Sequence, residues 1–402
     1  MTDDSRRAIP GAVSPIAPLI ALIIGHAVSD GCINFIPALW PVFQERLGLT
    51  AAQIGSMAGW VSVTTNFGQP LFGYLADRWR VRRMEAIGPI LVGVFVGMMG
   101  QTDILWLVGL FYVLGGVGTA MFHPEGASLV GRLGGSRRGL AMALFSGGGA
   151  LGYAAGAPVA VWLFHRFDLH GLMGAAVIGA AMGAVLLVTN VGRRYRDEDF
   201  TPLRLRRDVL PHLHRVTALF FVVTVRAIVI VGFNTFLALL VRSWGRDLST
   251  GASLLFLMIF LGGIGNITGG FLSDHLGRRN VTAVSLLLSA PFFYAFIRYG
   301  LPAGYLLLPV AGLLAQMSVS VNIVQGQELL PAGPGVASSL TMGAAWGVAG
   351  LTMPVVGWAA DSFGLEPTLM TLAWLPILAG LLALLVPDRP HSPEEIPEQH
   401  AL

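Results

Sequence analysis

Gly73-Tyr74-Leu75-Ala76-Asp77-Arg78-Trp79-Arg80-Val81-Arg82-Arg83 follows one long apolar run, and Gly270-Phe271-Leu272-Ser273-Asp274-His275-Leu276-Gly277-Arg278-Arg279 follows another. Asp77 and Asp274 stand 197 positions apart (274 − 77) in a chain of 402. A second set returns at nearly the same offset: Pro158, Trp162 and Phe167 recur as Pro354, Trp358 and Phe363, each 196 later. The chain reads as a duplicated membrane unit, and duplication in a polytopic membrane protein points to alternating-access transport.

Composition agrees with a membrane setting. The chain is 54% hydrophobic and 12% charged, with mean hydropathy +0.70; soluble domains carry roughly 25% charged residues. All 25 basic residues are arginine. They fall in short loops between apolar runs, as orientation signals do, so the net charge of +3 is no sign of nucleic-acid binding. The single cysteine, Cys32, excludes an intrachain disulfide and a cysteine-based metal cluster. Met1–Ser14 is polar, and no cleavable leader is expected.

A hydrocarbon core of roughly 30 Å needs about 20 helical residues per crossing. Twelve apolar runs meet or approach that length: 16–38, 52–75, 85–101, 104–130, 138–164, 171–191, 216–241, 249–273, 281–298, 303–329, 335–360 and 367–386. All are predicted helices, because a lone helix satisfies its own backbone in lipid. With the N-terminus inside, 19 arginines fall in inner segments and five in outer loops (Arg46, Arg166, Arg242, Arg246 and Arg298). Both termini are therefore expected in the cytoplasm and the chain in the cell inner (plasma) membrane. Residues 1–191 and 216–386 read as two six-helix bundles. The charged stretch 192–215 reads as a cytoplasmic linker, and the Pro- and Glu-rich 387–402 as a disordered cytoplasmic tail.

Twelve spans, a central linker and two matched acidic-basic loops resemble the major facilitator superfamily, whose loop pattern is roughly G-x-L-x-D-R-x-G-R-R. The second copy has His275 where the first arginine is usual; the first has Arg80 where glycine is usual. A narrower resemblance is to the fosmidomycin-resistance branch. It rests on His26-Ala27-Val28-Ser29-Asp30, Gln69-Pro70-Leu71-Phe72-Gly73, Phe122-His123-Pro124-Glu125-Gly126 and Gln327-Glu328-Leu329-Leu330-Pro331. The resemblance implies an all-α fold of two pseudo-symmetric bundles and a proton-driven exporter of small molecules. It also implies that Asp77, Arg78, Asp274 and Arg278 form gates at the cytoplasmic helix ends. Superfamily antiporters often carry G-x-x-x-G-P in span 5. Here the stretch reads Gly152 to Pro158 with the proline displaced by one, which leaves the direction of transport open.

His26, Asp30 and Asn34 are spaced by four and form one stripe near the middle of span 1. Ionisable groups at membrane depth are costly unless they face a cavity or a partner. Asp30 is a candidate proton carrier tuned by His26; the alternative is a structural hydrogen bond between them. Desolvation favours neutral Asp30, and a nearby cation favours its carboxylate. Arg226 lies near the middle of span 7 and wants an anion: either a substrate phosphonate or carboxylate, or Asp30 across the halves. His123 and Glu125 flank Pro124, which bends span 4. His123 is a candidate second proton site; Glu125 is a candidate substrate contact or a gate paired with an arginine such as Arg132. Gln69, Asn322 and Gln325 are candidate cavity amides, since amides both donate and accept, and Glu328 joins the gate. The span 5 glycines are no phosphate loop, and Gly152 and Gly156 fit close helix packing.

The leading expectation is a proton-coupled exporter of a small organic anion or fosmidomycin-like drug. The alternative is an importer or facilitator of an organic anion with the same fold. A remote alternative is a membrane acyltransferase using His26 and Asp30 as His-x-x-x-Asp. No nucleotide motif is present, no cofactor is expected, and the fold would serve as a monomer. No metal site is expected either, since His26 and His123 lie on different spans and sequence alone does not bring them together.

Overall fold

A computed structural model of the chain describes residues 16–79, 83–189, 213–330 and 334–387. The expected linker lies outside these residues except for the helical backbone of 213–215, as does the expected tail beyond Pro387. Every described element is helical.

Span 1 covers Ile16–Leu47. It is followed by span 2 (Ala51–Trp79), span 3 (Met84–Met99), span 4 (Leu105–Leu133), span 5 (Arg138–Phe167) and span 6 (Met173–Thr189). The second half repeats the set: span 7 (Leu213–Ser243), span 8 (Leu248–Leu276), span 9 (Arg278–Tyr299), span 10 (Gly304–Leu329), span 11 (Val336–Phe363) and span 12 (Leu365–Ala383). Nine described segments are long and apolar enough to cross a membrane, one of which, Arg138–Thr189, holds spans 5 and 6. Span 3 is a shorter apolar helix, and span 2 is diluted by the polar run Ser62–Gln69, which turns out to face the interior.

The helix ends follow local chemistry. Gly48 adopts φ +64° and closes span 1, a left-handed conformation that glycine takes without a Cβ clash. Asp247 caps span 8 by accepting from Thr250 N at 2.8 Å. Span 1 runs nine residues past its expected end at Ala38. Pro37 and Pro41 do not stop it, and Gln44-Glu45-Arg46 carry it beyond the apolar zone. It breaks instead at Asn34, between Ile16–Ile33 and Phe35–Leu47.

Packing repeats between halves. Span 1 lies on spans 5 and 6 as span 7 lies on 11 and 12; span 3 lies on 4 and 6 as span 9 lies on 10 and 12. Between halves, span 2 meets span 11, span 5 meets span 8, and span 1 meets span 7. Small residues make these approaches possible. A Cβ on Gly152 would run into the Ala27 backbone, and one on Gly156 into Gly31, so spans 1 and 5 touch main chain to main chain. Gly59 and Gly350 bring spans 2 and 11 equally close.

Twelve spans bring the start of span 1 and the end of span 12 to one face, the terminal face. The described bonds between halves lie from the middle toward the opposite face. Arg242 pairs with Glu45 at 2.8 Å. The Asp361 carboxylate accepts from the backbone N–H groups of Ala51 and Ala52 at 2.7 and 2.8 Å. It thereby caps span 2 from the other half, where the positive end of the helix dipole favours an anion. His165 meets Ser249 at 3.2 Å. That face is closed.

Candidate functional site

A cavity of about 460 Å³ lies between the halves. Its walls carry two matching stripes. His26, Asp30 and Asn34 line one side from span 1; Arg226, Ile230 and Asn234 line the other from span 7, each 200 positions later. This register was legible in the sequence, but at an offset three residues longer than that of the acidic loops. Asn234 went unnoticed for that reason.

The first wall is built around close contacts between two imidazoles and a carboxylate. His26 Nδ1 lies 2.8 Å from Phe145 O, and His123 Nδ1 lies 2.8 Å from Thr119 O. A carbonyl only accepts, so both Nδ1 atoms carry hydrogen, and both neutral rings present a bare Nε2. Those two Nε2 atoms approach to 3.1 Å. Each also stands 3.2 Å from a carboxylate oxygen of Asp30. Three acceptor groups thus converge, and they hold together only around added positive charge. Two rings fix the arrangement: His26 stacks on Phe145 at 4.1 Å between centroids and leans on Phe122 at 5.9 Å.

The second wall has the opposite character. Arg226 is 1% exposed. Its Nη1 donates to Gln316 Oε1 at 2.7 Å, and its guanidinium lies 5.3 Å from the Trp346 ring centre. Arg226 Nε has no hydrogen-bond partner, and no carboxylate pairs with Arg226 among the described residues. Asp30 is engaged by the two histidines instead, so the cross-half pair Arg226–Asp30 is not formed. Asn322 accepts from Thr282 at 3.0 Å, while its Nδ2 has no partner among the described residues.

The remaining candidates separate by position. Asn34 donates to Tyr153 O at 2.7 Å and accepts from Asn234 at 3.2 Å, closing the cavity toward the sealed face. Gln69 lines the cavity. Glu125 and Gln325 are buried outside its lining; Gln325 donates to Pro387 O at 3.4 Å. Arg278 binds Asp274 at 2.6 Å, Ser273 Oγ at 2.6 Å and Glu328 at 3.4 Å, a cluster within the second half near the terminal face. Asp77 and Arg78 end span 2, and their side chains lie outside the described residues.

Trp346 lines the cavity against Arg226. Sequence reading overlooked Tyr153, whose hydroxyl accepts from Asn234 at 2.9 Å, and Asp361. It also set aside a meeting of His26 and His123, which the fold produces.

Comparison with known proteins agrees with this architecture. The model of the Major Facilitator Superfamily matches residues 22–351. An uncharacterized MFS-type transporter of Bacillus subtilis (strain 168) is 29% identical, over 98% of this chain and 97% of its own. The fosmidomycin resistance protein of Escherichia coli (strain K12) is 26% identical, over 92% of this chain and 93% of its own. Among solved structures, a bacterial homologue of the human lysosomal transporter Spinster, inward-facing and occupied, superposes with TM-score 0.78. It covers 92% of this chain and 96% of its own at 16% identity, which speaks to fold alone. The chain belongs to the Major Facilitator Superfamily and is a multi-pass membrane transporter.

Proposed function

We propose that this transporter exports a small organic anion, fosmidomycin or a related compound, in exchange for protons. One observation carries the reading. One cavity places a buried arginine, with no carboxylate partner among the described residues, opposite a His-Asp-His cluster whose close acceptor contacts call for a positive charge. Arg226 binds the anionic group of the substrate. His26, Asp30 and His123 hold the coupling proton.

Exchange follows from the acceptor count. With the proton gone, the cluster offers two bare Nε2 atoms and a carboxylate to any donor. A substrate O–H or N–H then takes the proton's place, so proton and substrate exclude one another. The terminal face is taken as cytoplasmic on the arginine distribution, and the sealed opposite face makes the described state inward-facing. Asp274, Arg278 and Glu328, with Asp77 and Arg78, are proposed as the cytoplasmic gate that forms when the outer one opens. The transporter is proposed to work as a monomer without a cofactor.

The displaced Pro158 favours a second reading, an importer or facilitator in which anion and proton travel together. A pH jump across proteoliposomes separates the two. Exchange requires that an imposed proton gradient drive the substrate against the direction of proton flow. Movement in the same direction as the proton supports the second reading.

A further inference from the structure

We propose that the His26–Asp30–His123 cluster is a binding site for a divalent transition-metal ion, open to the central cavity. The donor set and its spacing carry this. Two imidazole nitrogens and a carboxylate are the ligands that zinc-type ions take, at bond lengths of about 2.0–2.2 Å. Two ligands on such an ion stand about 2.8–3.1 Å apart at octahedral angles and about 3.3–3.6 Å apart at tetrahedral ones, from those bond lengths. The separations found are 3.1 Å between the two Nε2 atoms, 3.2 Å from His26 Nε2 to Asp30 Oδ2 and 3.2 Å from His123 Nε2 to Asp30 Oδ1, so the carboxylate presents one oxygen to each ring. These separations lie between the octahedral and tetrahedral values, so one ion can bridge the three groups with shifts of a few tenths of an ångström.

The surroundings agree. A ligating histidine needs its far nitrogen held by a carbonyl or carboxylate, which sets the tautomer and aims the near lone pair. Both rings have that support, from Phe145 O and Thr119 O at 2.8 Å each. Three protein ligands leave a position open, and all three residues line the cavity, so water or a substrate oxygen completes the shell. A single proton bridges one pair of the three acceptors at a time, whereas one divalent ion engages all of them. The ion thus occupies the place assigned above to the proton, and the two exclude each other.

The test is Co²⁺ titration of the purified full-length chain in detergent, followed by the visible bands of bound cobalt, with Zn²⁺ dialysis for stoichiometry. The wild type is expected to bind one ion per chain, and the band intensity distinguishes four from six ligands. His123→Ala and Asp30→Asn are each expected to weaken binding at least about 100-fold, since even outer-shell changes cost 10–100-fold. His165→Ala and His170→Ala, exposed at the sealed face, are expected to leave it unchanged. His26→Ala is avoided because its ring packs between Phe122 and Phe145.

Absence of stoichiometric binding by the wild type overturns the proposal without reference to any variant. So does binding that survives in His123→Ala or Asp30→Asn, or that disappears with His165 or His170. These measurements involve no transport, so their failure is separate from failure of the exchange reading. A further arm rests on that reading: Zn²⁺ at the measured binding concentration stops substrate-driven proton movement in proteoliposomes. Metal binding with undiminished proton movement would refute the shared site.

Discussion

Replacing Arg226 by methionine sets two signs against each other. The side chain is 1% exposed, bonded to Gln316 and placed against Trp346, with no carboxylate pairing it among the described residues. Holding an ion there costs several kcal/mol of desolvation. The Gln316 bond returns about 1.5–3 kcal/mol and the Trp346 contact about 0.5–2. The arginine is therefore close to neutral, or unfavourable, for the empty protein. Methionine of similar reach removes the ion without opening a large void, so thermal stability in detergent holds or rises. Binding changes the other way. A charge-assisted hydrogen bond to the substrate anion is worth about 1.5–3 kcal/mol, or roughly 10- to 150-fold in Kd. Equilibrium binding of fosmidomycin and thermal unfolding of the same preparations give both numbers. Unchanged affinity would refute the anion-site reasoning. A melting temperature that falls along with affinity would show that Arg226 is a structural member instead.

Three further outcomes are expected. Asp361→Asn removes an anion from the span 2 N-terminus, worth about 0.3–1 kcal/mol. The outward-open population should rise about two- to fivefold, read as distances between spin labels on spans 2 and 11. Gly152→Ala drives a Cβ into the Ala27 backbone and should destabilise by about 1–3 kcal/mol, whereas Gly147→Ala meets open space and should not; thermal unfolding compares them. Asp247→Ala loses the cap of span 8, at about 1 kcal/mol. The Thr250 hydrogen bonds hold the Asp247 carboxyl below its ordinary range. Its contribution is thus present above the unfolded-state value and lost as pH falls through the folded one, and the wild type–variant gap should close in acid.

The spans were legible because each crossing needs its own apolar run and arginines mark one side. Their ends were less so. Residues 39–47 stay helical although Glu45 and Arg46 are charged, and those two side chains find partners in Arg242 and Asp103. Local composition holds no trace of such partners. The same holds for the six-residue π turn at Ser339–Ala344 in span 11. Within the site, four-residue spacing exposed His26, Asp30 and Asn34, since that property belongs to one helix. The arrival of His123 beside them depends on how span 4 packs against span 1. Asp361 reads as an ordinary charged helix end until the N-terminus of span 2 is placed against it.

The most direct test of proton exchange is fosmidomycin-driven proton movement in proteoliposomes, wild type against Asp30→Asn. The exchange account predicts proton movement that appears with drug in the wild type and vanishes in the variant, with both proteins shown to be folded. Proton movement that persists undiminished in Asp30→Asn would contradict it.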